Sequence, residues 1–137
     1  MRNLDRNGER LFHIAKYCEK IRDVRNSVNS DYAKFISKDN YQKVDVCAFY
    51  IGQIGELING LSDEFKAKHT EIPCRDIVNM RNLLIHHYGT RDVNIIWDVL
   101  TTDAPQLNKI CRTILREQNP NIENEIKQAL KNETNIF

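Results

Sequence analysis

Val44-Asp-Val-Cys-Ala-Phe-Tyr-Ile-Gly-Gln-Ile-Gly-Glu-Leu-Ile-Asn-Gly-Leu-Ser-Asp-Glu-Phe65 places apolar side chains at Val44, Cys47, Tyr50, Ile51, Ile54, Leu57, Ile58, Leu61 and Phe65. Steps of three and four mark a helix that buries one face. The stretch predicts a long helix that starts at Asp39 or Asn40 and carries its stripe to Phe65. The same period recurs on both sides of it. Leu11, Ile14, Ala15, Cys18, Ile21 and Val24 mark a first helix over roughly residues 4–28, and Ser30-Asp31 offers an N-cap for a short helix with Tyr32, Phe35 and Ile36.

Downstream, the polar run Lys66 to Glu71 ends the long stripe, and Pro73 suits the first turn of a helix reaching Tyr88, with Gly89 as the residue that stops it. Another helix begins at Asp92 with Val93, Ile96, Trp97 and Leu100 in register. Thr101–Pro105 is a kink or a restart, because the residue before a proline is biased away from helix. Leu107, Ile110, Cys111, Ile114 and Leu115 continue to Asn119-Pro120-Asn121. Ile122, Ile126, Ala129 and Leu130 suggest a last short amphipathic helix before a polar tail. No strand alternation or repeat is visible. The expected fold is an all-α, up-and-down bundle of four to five main helices over residues 1–118, followed by a short helix and tail over 119–137.

Bulk properties narrow the function. The chain has 137 residues, 41% hydrophobic and 28% charged, which suits one globular domain and is too apolar for general disorder. Its formal net charge is +1, so a phosphate-bearing partner must be met by a local cluster and not by overall basicity. Cys18, Cys47, Cys74 and Cys111 form no C-x-x-C pair and no zinc-ligand spacing with a histidine. Reduced thiols in a cytoplasmic protein are expected. The start Met1-Arg-Asn-Leu-Asp-Arg lacks an apolar signal region, and no run approaches membrane-spanning length, so no membrane association is expected.

One segment carries more chemistry than packing requires: Arg81-Asn82-Leu-Leu-Ile-His86-His87-Tyr88. At about 100° per residue, Ile77, Met80, Leu84 and Tyr88 share a stripe and Arg81 falls within it. A charge there needs a carboxylate partner, a groove or a second subunit, because an unpaired buried ion costs several kcal/mol. His86 lies about 140° away, beside Asn82, so Arg81 and His86 straddle a groove or meet symmetry mates across a two-fold axis. Plainer readings exist beside these. His86 and His87 near a helix C-terminus can serve only the helix dipole, and Tyr88 can be core. Glu56, between Ile54 and Leu57, either pairs with Arg81 or marks the edge of the stripe. His13 and His69 read as surface residues, Asp63-Glu64 with Lys66 and Lys68 as a solvated face, and Trp97 as core or dimer contact. No glycine-rich phosphate loop, nucleophilic triad or paired carboxylates appear, and no cofactor or metal is indicated.

The segments Tyr50-Ile-Gly-Gln-Ile-Gly55-Glu56-Leu, Arg81-Asn-Leu-Leu-Ile-His86-His-Tyr88 and Val93-Asn-Ile-Ile-Trp97, in this order, resemble the HepT-like toxins of the HEPN superfamily over about residues 8 to 117. That family's motif is Arg, four residues, His, any residue, Tyr, with a polar residue after the Arg. Arg81, Asn82, His86 and Tyr88 fill it without departure; His87 also fits the looser Arg-to-His spacing of the wider superfamily.

The resemblance implies a homodimeric, metal-independent endoribonuclease, the toxin of a type VII-like toxin–antitoxin pair. Arg81 and His86 are then catalytic, supported by Asn82, His87 and Glu56, and RNA is cut by 2′-hydroxyl attack to leave a 2′,3′-cyclic phosphate. It further implies a MntA-like nucleotidyltransferase antitoxin that silences the toxin by AMPylation of Tyr88. The alternative is a non-catalytic helical bundle that helps a minimal nucleotidyltransferase hold its substrate; a third is a regulatory member that binds RNA without cutting it.

Overall fold

The computed structural model describes residues 3–86 and 93–133, and for 83–86 the backbone alone. In chain order the helices are α1 (Arg6–Ser27), α2 (Tyr32–Phe35), α3 (Tyr41–Asn59), α4 (Asp63–Lys68), α5 (Cys74–His86), α6 (Val93–Asp98), α7 (Ala104–Gln118) and α8 (Ile122–Asn132). A 3₁₀ turn at Lys38–Asn40 leads into α3, and a π-turn at Val99–Asp103 joins α6 to α7. No strand occurs among the described residues. The all-α bundle expected from the periodicity is the fold observed.

Local chemistry sets the helix ends. The Asp5 carboxylate accepts the Gly8 N–H at 2.7 Å, satisfying one of the free amides at the start of α1. That helix stops where Asn29 and Ser30 turn left-handed, at φ 56° and 54°. Their N–H groups close back onto the Asn26 and Arg25 carbonyls, and Asp31 then caps α2 at the Lys34 N–H.

The long stripe breaks sooner than its spacing suggests. The third helix ends at Asn59, and Ser62 caps a separate α4 by accepting the Phe65 N–H at 3.1 Å. Asn7 exchanges two hydrogen bonds with Ser62, tying this corner to the start of α1. Leu61 and Phe65 remain buried, so the apolar spacing survives although the helix does not.

Packing centres on α1, which lies against α3 and α7, while α5 packs on α3. Leu11, Phe12, Ile14 and Ile21 of α1 are fully enclosed with Ile51 and Ile58 of α3, Ile96 of α6 and Leu115 of α7. Each contributes about 1.5–3 kcal/mol by leaving water. Trp97 of α6 sits on the rings of Phe35 and Tyr32, at centroid distances of 5.1 and 5.6 Å, and the Tyr32 hydroxyl donates to Asn94. The short α2 therefore fixes the element that follows the Arg81 helix in sequence.

The expected kink before Pro105 is the π-turn. Proline has no N–H to give to residue 101 and its ring crowds that carbonyl, so the turn widens there instead of breaking. At the far end, Ile122 and Ile126 bury α8 in the same core.

All four cysteines are free; Cys18, Cys47 and Cys111 are buried and Cys74 is half-buried. Burial pushes the Cys18 and Cys47 thiols up to about 12, which leaves them inert hydrophobes at neutral pH. His69 is not the plain surface residue its neighbours suggested. Its ring packs on Phe65 at 4.4 Å and its Nδ1 lies 3.0 Å from the Glu71 carboxylate. No helix among the described residues is long and apolar enough to cross a membrane.

Candidate functional site

Arg81 projects from α5 toward α3, its side chain only 15% exposed. The contact is close because of Gly55. A Cβ at that position would stand 2.7 Å from Cβ, 2.8 Å from Cδ and 2.9 Å from Cγ of Arg81. Only a residue without a side chain lets the arginine stem lie flat on α3 there. Ile77, one turn earlier on α5, is buried, and Met80 is packed against the core. The apolar stripe thus seats the helix and carries the guanidinium to the boundary between two helices.

The charge is met at that boundary. Nη1 forms an ion pair with Glu56, and Nη2 donates to the Asn82 side-chain oxygen at 3.0 Å. The pairing left open by the sequence is therefore made, while Glu56 itself keeps 59% of its side chain exposed and so is also an edge residue. Nε is buried without a partner among the described residues. A guanidinium with an exposed carboxylate on its outer edge is suited to exchanging that carboxylate for another oxyanion. A phosphate diester offers two non-bridging oxygens in the same forked geometry.

Three of the expected site residues, Arg81, Asn82 and Glu56, come together in this way. His86 closes α5 in the backbone, five residues and about 7.5 Å of helix beyond Arg81. Its side chain, together with His87 and Tyr88, lies outside the described residues. Sequence reasoning did not assign a role to Gly55. The signal was present: an interior helical glycine costs about 1 kcal/mol relative to alanine, so its place beside a buried stripe marks a close approach. Among the described residues, no group of three or more His, Cys, Asp or Glu side chains converges as a metal-holding cluster.

Comparison with known proteins identifies the family. The family described as "Ribonuclease HepT-like" matches residues 14–114, a span that holds Gly55, Glu56, Arg81, Asn82 and His86. A protein of Caldanaerobacter subterraneus named "Putative RNase TTE0752" is 30% identical over 108 residues, covering 79% of this chain and 93% of that protein. The "Putative RNase MJ0127" of Methanocaldococcus jannaschii is 28% identical over 116 residues, covering 85% of this chain and 93% of its own. The "Probable ribonuclease HepT" of Thermococcus cleftensis is 41% identical over a shorter 54 residues, 39% of this chain and 49% of that one. No solved structure gives a significant match. With three quarters of its length matched and the motif inside the match, the chain belongs to the HepT-like ribonuclease family.

Proposed function

We propose that this ribonuclease is the toxin of a toxin–antitoxin pair and cuts RNA by an internal, metal-independent transesterification. Arg81 carries the proposal: half-buried on Gly55, forked between Glu56 and Asn82, and with no Nε partner among the described residues. In the reaction, the ribose 2′-oxygen bonds to phosphorus as its proton passes to a base. The bond to the 5′-oxygen breaks as that oxygen takes a proton, leaving a 2′,3′-cyclic phosphate and a 5′-hydroxyl. Arg81 neutralises the charge that builds on the non-bridging oxygens, and Asn82 orients it. Glu56 holds the guanidinium in the resting state and yields it to the phosphate.

His86 moves the proton, since an imidazole titrates near the working pH. One imidazole cannot take and give a proton in the same instant. His86 of a second copy, or His87, supplies the other transfer, and a homodimer with both sites beside its axis meets that need. Silencing follows from the same place. AMP transferred to the Tyr88 hydroxyl from ATP, with release of pyrophosphate, puts a phosphate two residues beyond His86, where it competes with RNA for Arg81. A nucleotidyltransferase antitoxin performs that transfer.

Expression in a bacterial host arrests growth under this reading, and Arg81→Ala or His86→Ala relieves the arrest. Purified protein cuts RNA with chelator present; loss of cutting on chelation would overturn the metal-independent step. Arrest unrelieved by either substitution would overturn the site.

A further inference from the structure

Away from Arg81, the outer seam between α1 and α3 gathers cations and aromatic rings. Tyr17 of α1 and Tyr50 of α3 lie with ring centroids 5.7 Å apart. The Lys20 ammonium stands over both, 5.6 Å from the Tyr17 centroid and 5.8 Å from that of Tyr50. Lys16, one turn back on α1, completes the cluster and is 14% exposed.

An anion already sits on it. The Glu133 carboxylate, just past the end of α8, forms an ion pair with Lys16 through one oxygen and with Lys20 through the other, the latter at 2.5 Å. Burial alone would raise the Glu133 pKa; the hydrogen bonds and charges of the two lysines bring it below the usual carboxylate value. The seam is thus a working oxyanion site, and one carboxylate neutralises only half of its charge.

We propose that Lys16, Lys20, Tyr17 and Tyr50 form a platform for single-stranded RNA, and that Glu133 is a built-in competitor which the RNA phosphate displaces. Paired ammoniums beside adjacent, mutually tilted rings suit a single strand, phosphate on the cations and base on an aromatic face. The platform also leads toward Arg81. Tyr50 touches Phe49 at 6.1 Å between centroids, and Phe49 is 58% exposed on the outer face of α3. Glu56 follows Phe49 by seven residues, two turns and about 10 Å along the same face. One strand can therefore run from the lysines across Tyr50 and Phe49 to the Arg81–Glu56 pair. Glu133 lies outside residues 14–114, so the competitor belongs to a part of the chain that the family match does not include.

The inference takes the identity of its ligand from the ribonuclease reading, but its test reads binding and not cleavage. The full chain is titrated into a fluorescein-labelled, fully 2′-O-methylated single-stranded RNA, which has no hydroxyl to attack, and anisotropy is followed. Lys20→Ala weakens binding about ten-fold and lowers the salt slope by about 0.7. Glu133→Gln, isosteric and uncharged, tightens it several-fold, and this arm decides alone if Lys20→Ala does not fold. Unchanged affinity in Glu133→Gln overturns the proposal. So does a Lys20→Ala effect that appears only with loss of dimer in light scattering, which would assign the seam to contact between copies. Arg81→Ala separates the two readings. Full cleavage by that variant refutes the proposed catalytic site, while the binding data still decide the platform.

Discussion

Two arginines in this molecule are equally sheltered and differently employed. Arg112 on α7 is 16% exposed and Arg81 on α5 is 15% exposed. Arg112 has a partner at each of its three nitrogens. Its Nε donates to Asn108 at 2.8 Å, Nη2 to Glu19 at 2.9 Å, and Nη1 pairs with Glu123. Three helices meet in that one guanidinium, and each of its nitrogens has a protein partner. Arg81 spends one nitrogen on a neighbour in its own helix and one on a carboxylate that faces water, and its Nε has no partner among the described residues. An unsatisfied buried donor costs about 1–3 kcal/mol, a cost the fold avoids at the Nε of Arg112 and, among the described residues, accepts at the Nε of Arg81 and of Arg25. What sets Arg81 apart from Arg112 is the proposed site around it, where its carboxylate partner Glu56 is exposed enough to be exchanged.

The largest effect expected from breaking this contrast is on catalysis. Replacing Arg81 by alanine removes the proposed charge clamp and lowers the single-turnover cleavage rate about 10²–10³-fold, while the urea midpoint barely moves. Arg81→Lys recovers only part of the rate, since an ammonium cannot offer two parallel donors. A large loss of stability with intact cleavage would make Arg81 a second Arg112.

Arg112→Ala is expected to do the reverse. Glu19, 18% exposed, loses its main cation and keeps Asn108 and a distant Arg22. Breaking a buried pair costs about 3–5 kcal/mol; with these helpers and partial exposure about 2 kcal/mol is expected, read as a lower midpoint at unchanged slope. Cleavage per folded molecule stays constant.

Gly55→Ala probes the seat of Arg81. The added methyl meets the arginine stem at 2.7 Å, so α5 must shift or the side chain must leave. Overpacking of this kind costs about 1–3 kcal/mol. Because the displaced group is Arg81, cleavage falls as well, and this joint loss separates Gly55 from both arginines.

Much of this was legible in the sequence, for identifiable reasons. Apolar steps of three and four fixed the helices because burial is what stabilises them, and Arg81 stood out as a charge inside such a stripe. The end of α3 at Asn59 was hidden because Leu61 and Phe65 stay buried across the break, so the spacing carries no trace of it. His69 was misplaced because its burial comes from Phe65, four residues earlier across the end of α4. Glu56 could be suspected but not chosen, since its partner lies on another helix. The Lys16–Glu133 pair, 117 residues apart, had no local signature.

Glu56→Gln is the finest test of the contrast. Glu56 is mostly solvated, so its ion pair is worth less than about 1 kcal/mol and the urea midpoint changes little. If the carboxylate is a placeholder for phosphate, removing its charge relieves a competitor. Affinity for the 2′-O-methylated RNA then rises by a small factor, most visibly at low salt, where screening is weak. Its Arg112-side counterpart, Glu123→Gln, touches an arginine whose three nitrogens all have protein partners and leaves RNA affinity unchanged. Equal behaviour of the two glutamines would erase the distinction drawn between the two arginines. A gain confined to Glu56→Gln would place the exchange of carboxylate for phosphate at Arg81.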